Sequence, residues 1–292
     1  MSTSQLSDIR PRPASNVHSS QMTSGRDSQG KLWSSLREIF TLLQCPCKIP
    51  VTDQELLFQH VQYKTGQRIH TIGQEFDALC VIYSGFLKTV SIDEFGNEQV
   101  LSFPMKGDIL GVDSIYTRQF SSEAVALSDC NMILLPFKKI ETLCHNNPDF
   151  EHAIFSLMSR ELMRKQAIMN MLGAPNAEAR VARFLISLSE KFAEIGYSRS
   201  NFNLRMSRQE IGSFLGLSLE TVSRSLSALN EIGLVQVDQR SIKIVEHDTL
   251  ATMRRIPPSR SRAKQRDAAA SRAAKWPTAA ANSLATQLQP AA

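Results

Sequence analysis

Residues 206–233 read "MSRQEIGSFLGLSLETVSRSLSALNEIG" and predict two short helices separated by a glycine turn. Ser207 followed three residues later by Glu210 is the pattern of a capping box, which begins a helix. Gly216 suits the end of that helix, because glycine adopts the left-handed backbone conformation that a tight turn requires. Ser218 then caps the second helix, so the stretch predicts a helix-turn-helix unit.

The second predicted helix carries an apolar face and a polar face. Val222, Leu226 and Leu229 recur at helical spacing and predict the face that packs against the first helix. In a helix-turn-helix unit the second helix lies in the major groove of DNA, with its N-terminal end toward the bases. The polar residues at that end are therefore the first candidates for base contacts.

Five side chains at this end match chemical groups on base edges. Arg224 presents a planar set of donors that fits guanine O6 and N7, and Glu220 accepts from the amino group of cytosine. Ser223 can contact a base edge or a phosphate, while Leu219 and the methyl group of Thr221 fit a thymine methyl. The alternative is that Glu220 and Arg224 form only a surface pair one helical turn apart, which would contribute about 0.2–0.5 kcal/mol.

The flanking sequence completes a winged helix-turn-helix domain over residues 174–250. An amphipathic helix precedes the unit, and residues 234–245 predict two short strands joined by a turn. Residues 176–250 carry nine basic and nine acidic residues, so local geometry rather than net charge must support DNA binding. Three residues are predicted phosphate contacts, which fix the register without reading sequence: Ser207, Arg208 and Arg240.

Residues 31–150 predict a different architecture. After a short helix over residues 32–43, short alternating apolar runs are separated by glycines, and "DEFGNEQ" at 93–99 is a hairpin signal. Many short strands at regular spacing predict an antiparallel β-roll, or jelly-roll. The whole chain is therefore expected to be an α+β protein with the β-roll preceding the helix-turn-helix domain.

Residues 151–173 predict one long methionine-rich helix between these two parts. Its apolar residues, from Ile154 to Leu172, recur at helical spacing. Three interpretations are open: one side of a core, a cofactor pocket, or the seam of a two-stranded dimer. The seam is favoured because no second layer follows to cover the helix, and it predicts a homodimer.

Both ends of the chain are predicted to be disordered. Residues 1–30 are rich in Ser, Thr, Gln and Pro, whereas residues 251–292 hold eight basic residues and one acidic residue. This tail carries the excess charge of a chain whose net charge is +5, and we expect it to add non-specific DNA affinity. No apolar run is long enough to span a membrane, no secretory signal is visible, and the five cysteines fit a reducing compartment. We therefore expect a cytoplasmic protein without membrane association.

Over about residues 50–250 the sequence resembles the CRP/FNR family of bacterial transcription regulators. "GDILG" at 107–111 and "YSGFLK" at 83–88 are similar to the β-roll of that family, and "NAEARVARFL" at 176–185 is similar to the start of its DNA-binding domain. The resemblance implies a cyclic-nucleotide-binding-like β-roll, a long dimerisation helix and a winged helix-turn-helix. It also implies RNA polymerase as a partner.

The pattern Glu220, Ser223 and Arg224 resembles the fumarate–nitrate regulator branch of the family. This resemblance implies half-sites of the TTGAT type arranged as an inverted repeat on double-stranded DNA. It also raises the question of the sensed signal, which we expect to be redox, oxygen or a small molecule.

Cyclic AMP does not fit the residues at the expected binding position. The cyclic-AMP branch of the family uses Gly-Glu and then Arg-Ser or Arg-Thr, with the arginine binding the cyclic phosphate. Here Gly111 is followed by Val112, and Ser121 and Ser122 stand where Arg-Ser would be expected. Arg118 lies nearby but out of register. Because a buried phosphate needs a cationic partner, we expect no cyclic AMP site.

An iron–sulfur cluster is a second hypothesis, since the oxygen-sensing branch holds one with four cysteines. Cys45, Cys47 and Cys130 are weak candidate ligands, but the pattern is incomplete and Cys130 is displaced from the family's position. Cys80 and Cys144 are interpreted as structural. The Cys45–Cys47 pair could alternatively act as a thiol switch. The sequence therefore leaves the cofactor unknown.

Two other functional classes are weighed against a regulator. A jelly-roll metal enzyme would need two histidines and a carboxylate on adjacent strands, and His70 with Glu75 is the nearest approach. No histidine stands out as a haem ligand, and no zinc-type spacing or catalytic motif is visible. A dimerisation adaptor would bind no DNA. We predict a non-enzymatic regulator.

Overall fold

The computed structural model describes residues 25–27, 30–45 and 56–253. Ten strands form the N-terminal β-roll and three form the wing region, numbered in chain order: β1 (Gly25–Arg26), β2 (Leu32–Ser35), β3 (Leu57–Tyr63), β4 (Arg68–His70), β5 (Ala78–Ser84), β6 (Leu87–Ile92), β7 (Glu98–Ser102), β8 (Ile109–Leu110), β9 (Glu123–Ala126), β10 (Cys130–Pro136), β11 (Asn201–Asn203), β12 (Val235–Asp238) and β13 (Ser241–Ile244). The α-helices are α1 (Leu36–Leu42), α2 (Phe137–Asn146), α3 (Pro148–Leu172), α4 (Ala177–Glu194), α5 (Arg208–Leu215), α6 (Leu219–Glu231) and α7 (His247–Ala251).

The β-roll consists of two antiparallel sheets, which confirms the predicted α+β architecture. The larger sheet has the order β1-β2-β3-β10-β5-β8, and the smaller has the order β4-β9-β6-β7. The hairpin predicted at residues 93–99 joins β6 to β7, with Ile92 opposite Glu98. Gly96 adopts a φ of 82°, which explains the glycine at this turn.

The N-terminal segment differs from the prediction. Within the predicted disordered range 1–30, Gly25–Arg26 forms a strand that pairs with Leu32–Ser35, and the predicted helix begins only at Leu36. The Ser35 hydroxyl accepts from the Glu38 amide, and Glu38 accepts from the Ser35 amide. This capping box places the start of α1 at Leu36, because the N-cap residue, Ser35, itself lies outside the helix. The remaining residues of the range, apart from 27 and 30, lie outside the described part.

The long helix α3 runs from Pro148 to Leu172, three residues earlier than predicted at its start. The Asn147 side chain accepts from the amides of Asp149 and Phe150, and Pro148 occupies the first turn. Both features favour a helix beginning here, because the cap satisfies free amides and proline lacks one. In the part of the chain that the structure describes, no helix is long and apolar enough to cross a membrane.

The described fold also extends slightly past residue 250. Helix α7 ends at Ala251, Leu250 is fully buried, and Met253 is buried in the core of the DNA-binding domain. The predicted basic tail therefore begins after these contacts, and residues 254–292, including its eight basic residues, lie outside the described residues. Its proposed role stays a prediction.

His70 in β4 is a buried histidine with an unusual environment. Its ring stacks on Phe120 at 3.8 Å between centroids, and neither ring nitrogen has a hydrogen-bond partner among the described residues. Burial lowers the pKa of His70 to about 4, against a smaller opposing effect of Asp113. The native state therefore holds this ring neutral at pH values where the unfolded chain is protonated.

This difference predicts pH-dependent stability. Because the unfolded state binds the extra proton between pH 6.5 and about pH 4, stability should be complete above that window and fall as the pH decreases through it. In His70→Phe, which keeps a ring against Phe120, the loss should be smaller by roughly 3 kcal/mol. Urea unfolding at several pH values and fixed protein concentration measures the effect. Parallel pH profiles for the two proteins would contradict it.

Candidate DNA interface

The helix-turn-helix forms as predicted. Ser207 accepts from the amide of Glu210 at 3.2 Å, and a Glu210 carboxylate oxygen accepts from the Ser207 amide at 2.7 Å. Helix α5 ends at Gly216, whose φ of 64° is left-handed, and Ser218 caps α6 by accepting from the Thr221 amide. Each end of the unit is thus fixed by a local hydrogen bond or by glycine.

The turn also depends on a glycine inside α5. A Cβ atom added at Gly212 would lie 2.6 Å from the carbonyl oxygen of Leu217, a backbone atom that cannot simply rotate away. At Gly216 the nearest atom is 3.9 Å away, on the flexible side chain of Arg180. Gly212 therefore allows the chain of the turn to fold back closely onto α5.

We expect Gly212→Ala to separate the two helices and to destabilise the domain by about 1–3 kcal/mol, as overpacking typically does. Gly216→Ala has no such clash and should cost about 1 kcal/mol through its left-handed backbone alone. Thermal and urea unfolding of both variants distinguish these costs. A smaller loss of stability for Gly212→Ala than for Gly216→Ala would show that the turn relaxes without strain.

The polar side chains of α6 are accessible at its N-terminal end. Leu219, Glu220 and Arg224 are exposed, and Thr221 and Ser223 are half-buried. The opposite face, with Val222, Leu226 and Leu229, is buried, as predicted. The five predicted base-contacting residues therefore share one end of a helix whose other side is packed.

The competing interpretation, a surface pair of Glu220 and Arg224, is not accompanied by a direct ion pair in this structure. Among the residues that the structure describes, no ion pair within 4.0 Å joins Glu220 to Arg224, and Arg224 makes one long hydrogen bond, to Thr221 Oγ1 at 3.4 Å. The pKa of the Glu220 carboxyl is held below its ordinary value by its own backbone amide, then by the Ser218 hydroxyl and the charge of Arg224. Glu220 is thus an acceptor, and the guanidinium of Arg224 keeps most of its donors free.

The three predicted phosphate contacts are placed differently from one another. The Ser207 hydroxyl already caps α5, so only its second lone pair or its proton is left for a phosphate. Arg208 donates to the Gln239 carbonyl at 2.9 Å and lies beside the wing, where burial lowers its pKa. Arg240 is exposed in the wing turn and donates weakly to the Arg205 carbonyl at 3.5 Å.

The wing has one strand more than the sequence predicted. Besides the β12–β13 hairpin, strand β11 pairs with β13 and gives a three-stranded sheet in the order β11-β13-β12. Asn230 in α6 accepts from the Val237 amide at 3.0 Å and so ties the wing to the second helix. An open cavity of about 410 Å³ lies between α6, Arg208 and the wing, lined also by Ser223 and Ser227. Sequence reasoning missed Asn230 because its partner lies on another element.

Sequence reasoning also missed the contact between α5 and the β-roll. The Nζ atom of Lys88 in β6 lies 3.1 Å from Oε1 of Glu210, the acidic member of the α5 capping box. The Ser213 hydroxyl accepts from the Val100 amide at 2.9 Å, and Phe214 packs edge-on against Phe103 at 5.3 Å between centroids. The β6–β7 hairpin of the roll therefore holds the first helix of the DNA-binding domain.

The candidate cluster ligands do not converge. Cys45 packs in the core below α1 with its thiol donating to the Ala153 carbonyl, whereas Cys130 and Cys80 belong to a separate core. Burial raises the pKa of Cys45 and of Cys130, and raises that of Cys80 to about 12, which disfavours thiolate ligands. Cys47 lies outside the described residues, but a four-cysteine cluster would need three of the other four together. The cysteines therefore do not fit such a cluster in this conformation.

The β-roll offers no arginine to a cyclic phosphate at the expected position. Ser122 is buried, and the nearby Arg118 is directed to Glu141 at 2.8 Å and over the ring of Phe137 at 4.3 Å. The carboxylate of Glu123 is paired with Arg68 at 2.9 Å. The expectation that cyclic AMP is not the ligand stays a prediction.

The metal-enzyme alternative gains no site either. His70 stacks inside the roll, and Glu75 is exposed in an isolated bridge with Gln119. Within the described ranges, no group of three or more His, Cys, Asp or Glu side chains is arranged to hold a metal ion. The described residues thus form a β-roll, a long helix and a winged helix-turn-helix.

Comparisons with known proteins agree with this class, a β-roll joined to a winged helix-turn-helix. Residues 179–253 match the family model of the Crp-like helix-turn-helix domain, and residues 60–147 match that of the cyclic nucleotide-binding domain. The transcriptional regulatory protein btr of Bordetella pertussis is 35% identical over 66% of this chain and 79% of its own length. The fumarate and nitrate reduction regulatory protein of Escherichia coli is 36% identical over 64% of this chain and 75% of its own.

Solved structures match in fold. FixK2 from Bradyrhizobium japonicum aligns with a TM-score of 0.63 and 24% identity, over 69% of this chain and 100% of that chain. TTHA1359 from Thermus thermophilus, a regulator of the CRP/FNR family, aligns with a TM-score of 0.52 and 20% identity, over 67% of this chain and all of that one. The chain belongs to the CRP/FNR family of transcription regulators, and its C-terminal part is the family's helix-turn-helix DNA-binding domain.

Proposed function

We propose that this regulator binds, as a homodimer, an inverted repeat of TTGAT-like half-sites, with Glu220, Ser223 and Arg224 reading the bases. The observation that carries the proposal is the exposed and largely unpaired guanidinium of Arg224, beside an ionised Glu220 at the N-terminal end of α6. An arginine fork specifies guanine, and a carboxylate accepts from cytosine. Leu219 and Thr221 supply the apolar contacts that thymine methyl groups favour.

The remaining predicted contacts position the domain on the phosphate backbone. Arg240 in the wing turn and Arg208 at the start of α5 both lie close to that turn, where they can contact phosphates without reading bases. Ser207 contributes at most through the part of its hydroxyl that capping leaves free. These contacts supply affinity and register rather than sequence preference.

Helix α3 supplies the surface for a dimer. Phe155, Leu162 and Met169 are 58%, 71% and 65% exposed, although they are large and apolar. They repeat every seven residues, and of the alternate positions of the stripe Met158 and Leu172 are apolar, whereas Lys165 is charged and pairs with Asp113 at 3.4 Å. A stripe with this spacing is the surface that two helices bury in a coiled coil. A two-fold dimer then places two α6 helices over two half-sites, which accounts for an inverted repeat.

The dimer has its own test. Leu162→Glu places two carboxylates at the centre of the seam and is expected to convert the dimer to monomers at micromolar concentration, with loss of tight operator binding. Analytical ultracentrifugation measures the mass. The matched control, Ser156→Glu, changes an exposed residue of the same helix on the side directed away from the stripe and should leave the mass unchanged. A dimeric Leu162→Glu protein would place the interface elsewhere.

Selection from random duplex DNA tests the function itself. The expected result is an inverted repeat of TTGAT-like half-sites spaced by about one helical turn. Recovery of a single, non-palindromic half-site would contradict binding as a dimer. Recovery of no preferred sequence would support a dimerisation adaptor that does not bind DNA. We propose further that the protein acts by binding rather than by catalysis, in the cytoplasm where it meets DNA and RNA polymerase.

A further inference from the structure

A second cavity is lined by no residue of α6 or of the wing, so DNA recognition makes no use of it. Its volume is about 330 Å³, and it forms where the end of α1, the turn before β8, helix α3 and the end of α4 meet. Sensor, dimer helix and DNA-binding domain thus all contribute to one cavity. This size lies at the lower end of the range of small-molecule sites, about 300–1,000 Å³.

The polar part of the lining is predominantly cationic. Four basic side chains face two carboxylates there: Lys106, Arg160, Arg164 and Lys191 against Asp108 and Glu194. Asp108 is only 6% exposed and lies 2.9 Å from Arg164 and 2.6 Å from Lys191, and Arg164 also pairs with Glu161 next to the cavity, so both of these cations have a carboxylate partner. Arg160 and Lys106 therefore carry the excess charge.

Arg160 is the lining cation that has a buried side-chain atom without a partner among the described residues. Within the described part of the chain, no carboxylate lies within 4.0 Å of Arg160 or of Lys106. The Nε atom of Arg160 is buried and has no hydrogen-bond acceptor in the part of the chain that the structure describes. A buried donor left in this state is costly, so an anionic acceptor entering the cavity would gain a charge-assisted hydrogen bond.

The other part of the lining is apolar. Leu43, Met105, Met163 and Ile195 contribute to it, and Ala167 leaves space along α3. We propose that this cavity is a binding site for an organic anion, whose carboxylate or phosphate group contacts Arg160 and Lys106 and whose apolar body lies against these side chains. The inference goes beyond DNA recognition and does not depend on it.

The site stays accessible in the proposed dimer. Three residues that line the cavity lie on the face of α3 opposite the Phe155–Leu162–Met169 stripe: Arg160, Met163 and Ala167. An occupant would also lie beside Arg164 and Lys191, the cations that hold Asp108 between the roll and the DNA-binding domain. Its charge would then compete with Asp108 and alter the link between the two domains.

Anilinonaphthalene sulfonate, a fluorescent organic anion, tests the site in the full-length protein without DNA. The expected result is a saturable fluorescence increase with one probe bound per chain. Arg160→Glu reverses the unpaired charge and should weaken binding by about tenfold or more. Ala167→Phe fills the cavity from the exposed face of α3 and should weaken it independently of charge. Arg37→Glu, at an exposed position of α1 outside the cavity, should bind as the parent does.

Displacement of the probe distinguishes the two chemical sources. Octanoate or octyl phosphate should displace it, and the stronger of the two identifies the head group. Octanol or inorganic phosphate should displace it much less, because each lacks one half of the required chemistry. No saturable binding, unchanged binding by both Arg160→Glu and Ala167→Phe, or equal displacement by octanol would each overturn the proposal. Because no DNA is present, failure here leaves operator recognition untouched.

Discussion

Arg224→Ala should lose about 1–3 kcal/mol of discrimination at one base pair of each half-site, because its guanidinium supplies the two donors that guanine requires. The variant should therefore accept other bases at that position, while its affinity for unrelated duplexes changes little. Glu220→Ala should relax a different position in the same way. Fluorescence anisotropy with duplexes altered one base pair at a time, at a fixed salt concentration, measures both effects.

The control must remove the same charge elsewhere in the domain. Arg199→Ala changes an exposed arginine in the loop before β11, outside α6, and should leave the base preference intact. If Arg224→Ala instead weakened all duplexes equally, Arg224 would be a phosphate contact. Base reading would then have to come from other residues of α6.

Asp108→Asn is expected to destabilise the fold by about 3 kcal/mol. Asp108 is the shared partner of Arg164 and Lys191, whose side chains are 28% and 27% exposed. Neutralising it leaves Lys191 without its carboxylate and leaves Arg164 with Glu161 alone, so two partly desolvated cations lose compensation. The carboxylate also accepts from the Met105 amide at 2.9 Å, a contact that the asparagine oxygen can keep. Urea unfolding at fixed protein concentration measures the loss.

An exposed ion pair serves as the control, because it shows how much of the stability lost in Asp108→Asn comes from burial. Asp129 pairs with Lys64 at 2.8 Å, but both side chains are more than half exposed. Asp129→Asn should therefore cost much less than Asp108→Asn. Equal losses at the two positions would mean that solvent screens the Asp108 centre as well.

The elements that the sequence predicted well are those whose signals are local. Ser207, Glu210, Gly216 and Ser218 define the ends of α5 and α6 within a few residues of chain, so the helix-turn-helix could be placed closely. The long helix was placed within three residues at its start because its periodicity extends over several turns. Its start was missed only because Asn147 and Pro148 were not read as a cap and first turn.

The features that the sequence did not predict depend on partners distant in the chain. Strand β11 is three residues long and is defined by its pairing with β13, about forty residues later. The contacts of Ser213 with Val100 and of Lys191 with Asp108 join residues that no local pattern relates. The unpaired Arg160 could be recognised only once its surroundings were known. Composition and periodicity carry no information about such pairings.

Phe103 of the β-roll packs against Phe184 and Phe214 of the winged domain. These rings belong to one continuous hydrophobic cluster that includes side chains of both the roll and the winged domain. The two parts consequently lack a clean boundary at which they could be cut and rejoined. A chimaera that joins this winged helix-turn-helix domain to the sensor domain of another protein would have to include the β6–β7 hairpin and the adjoining Phe103. Otherwise it would need another aromatic surface in their place.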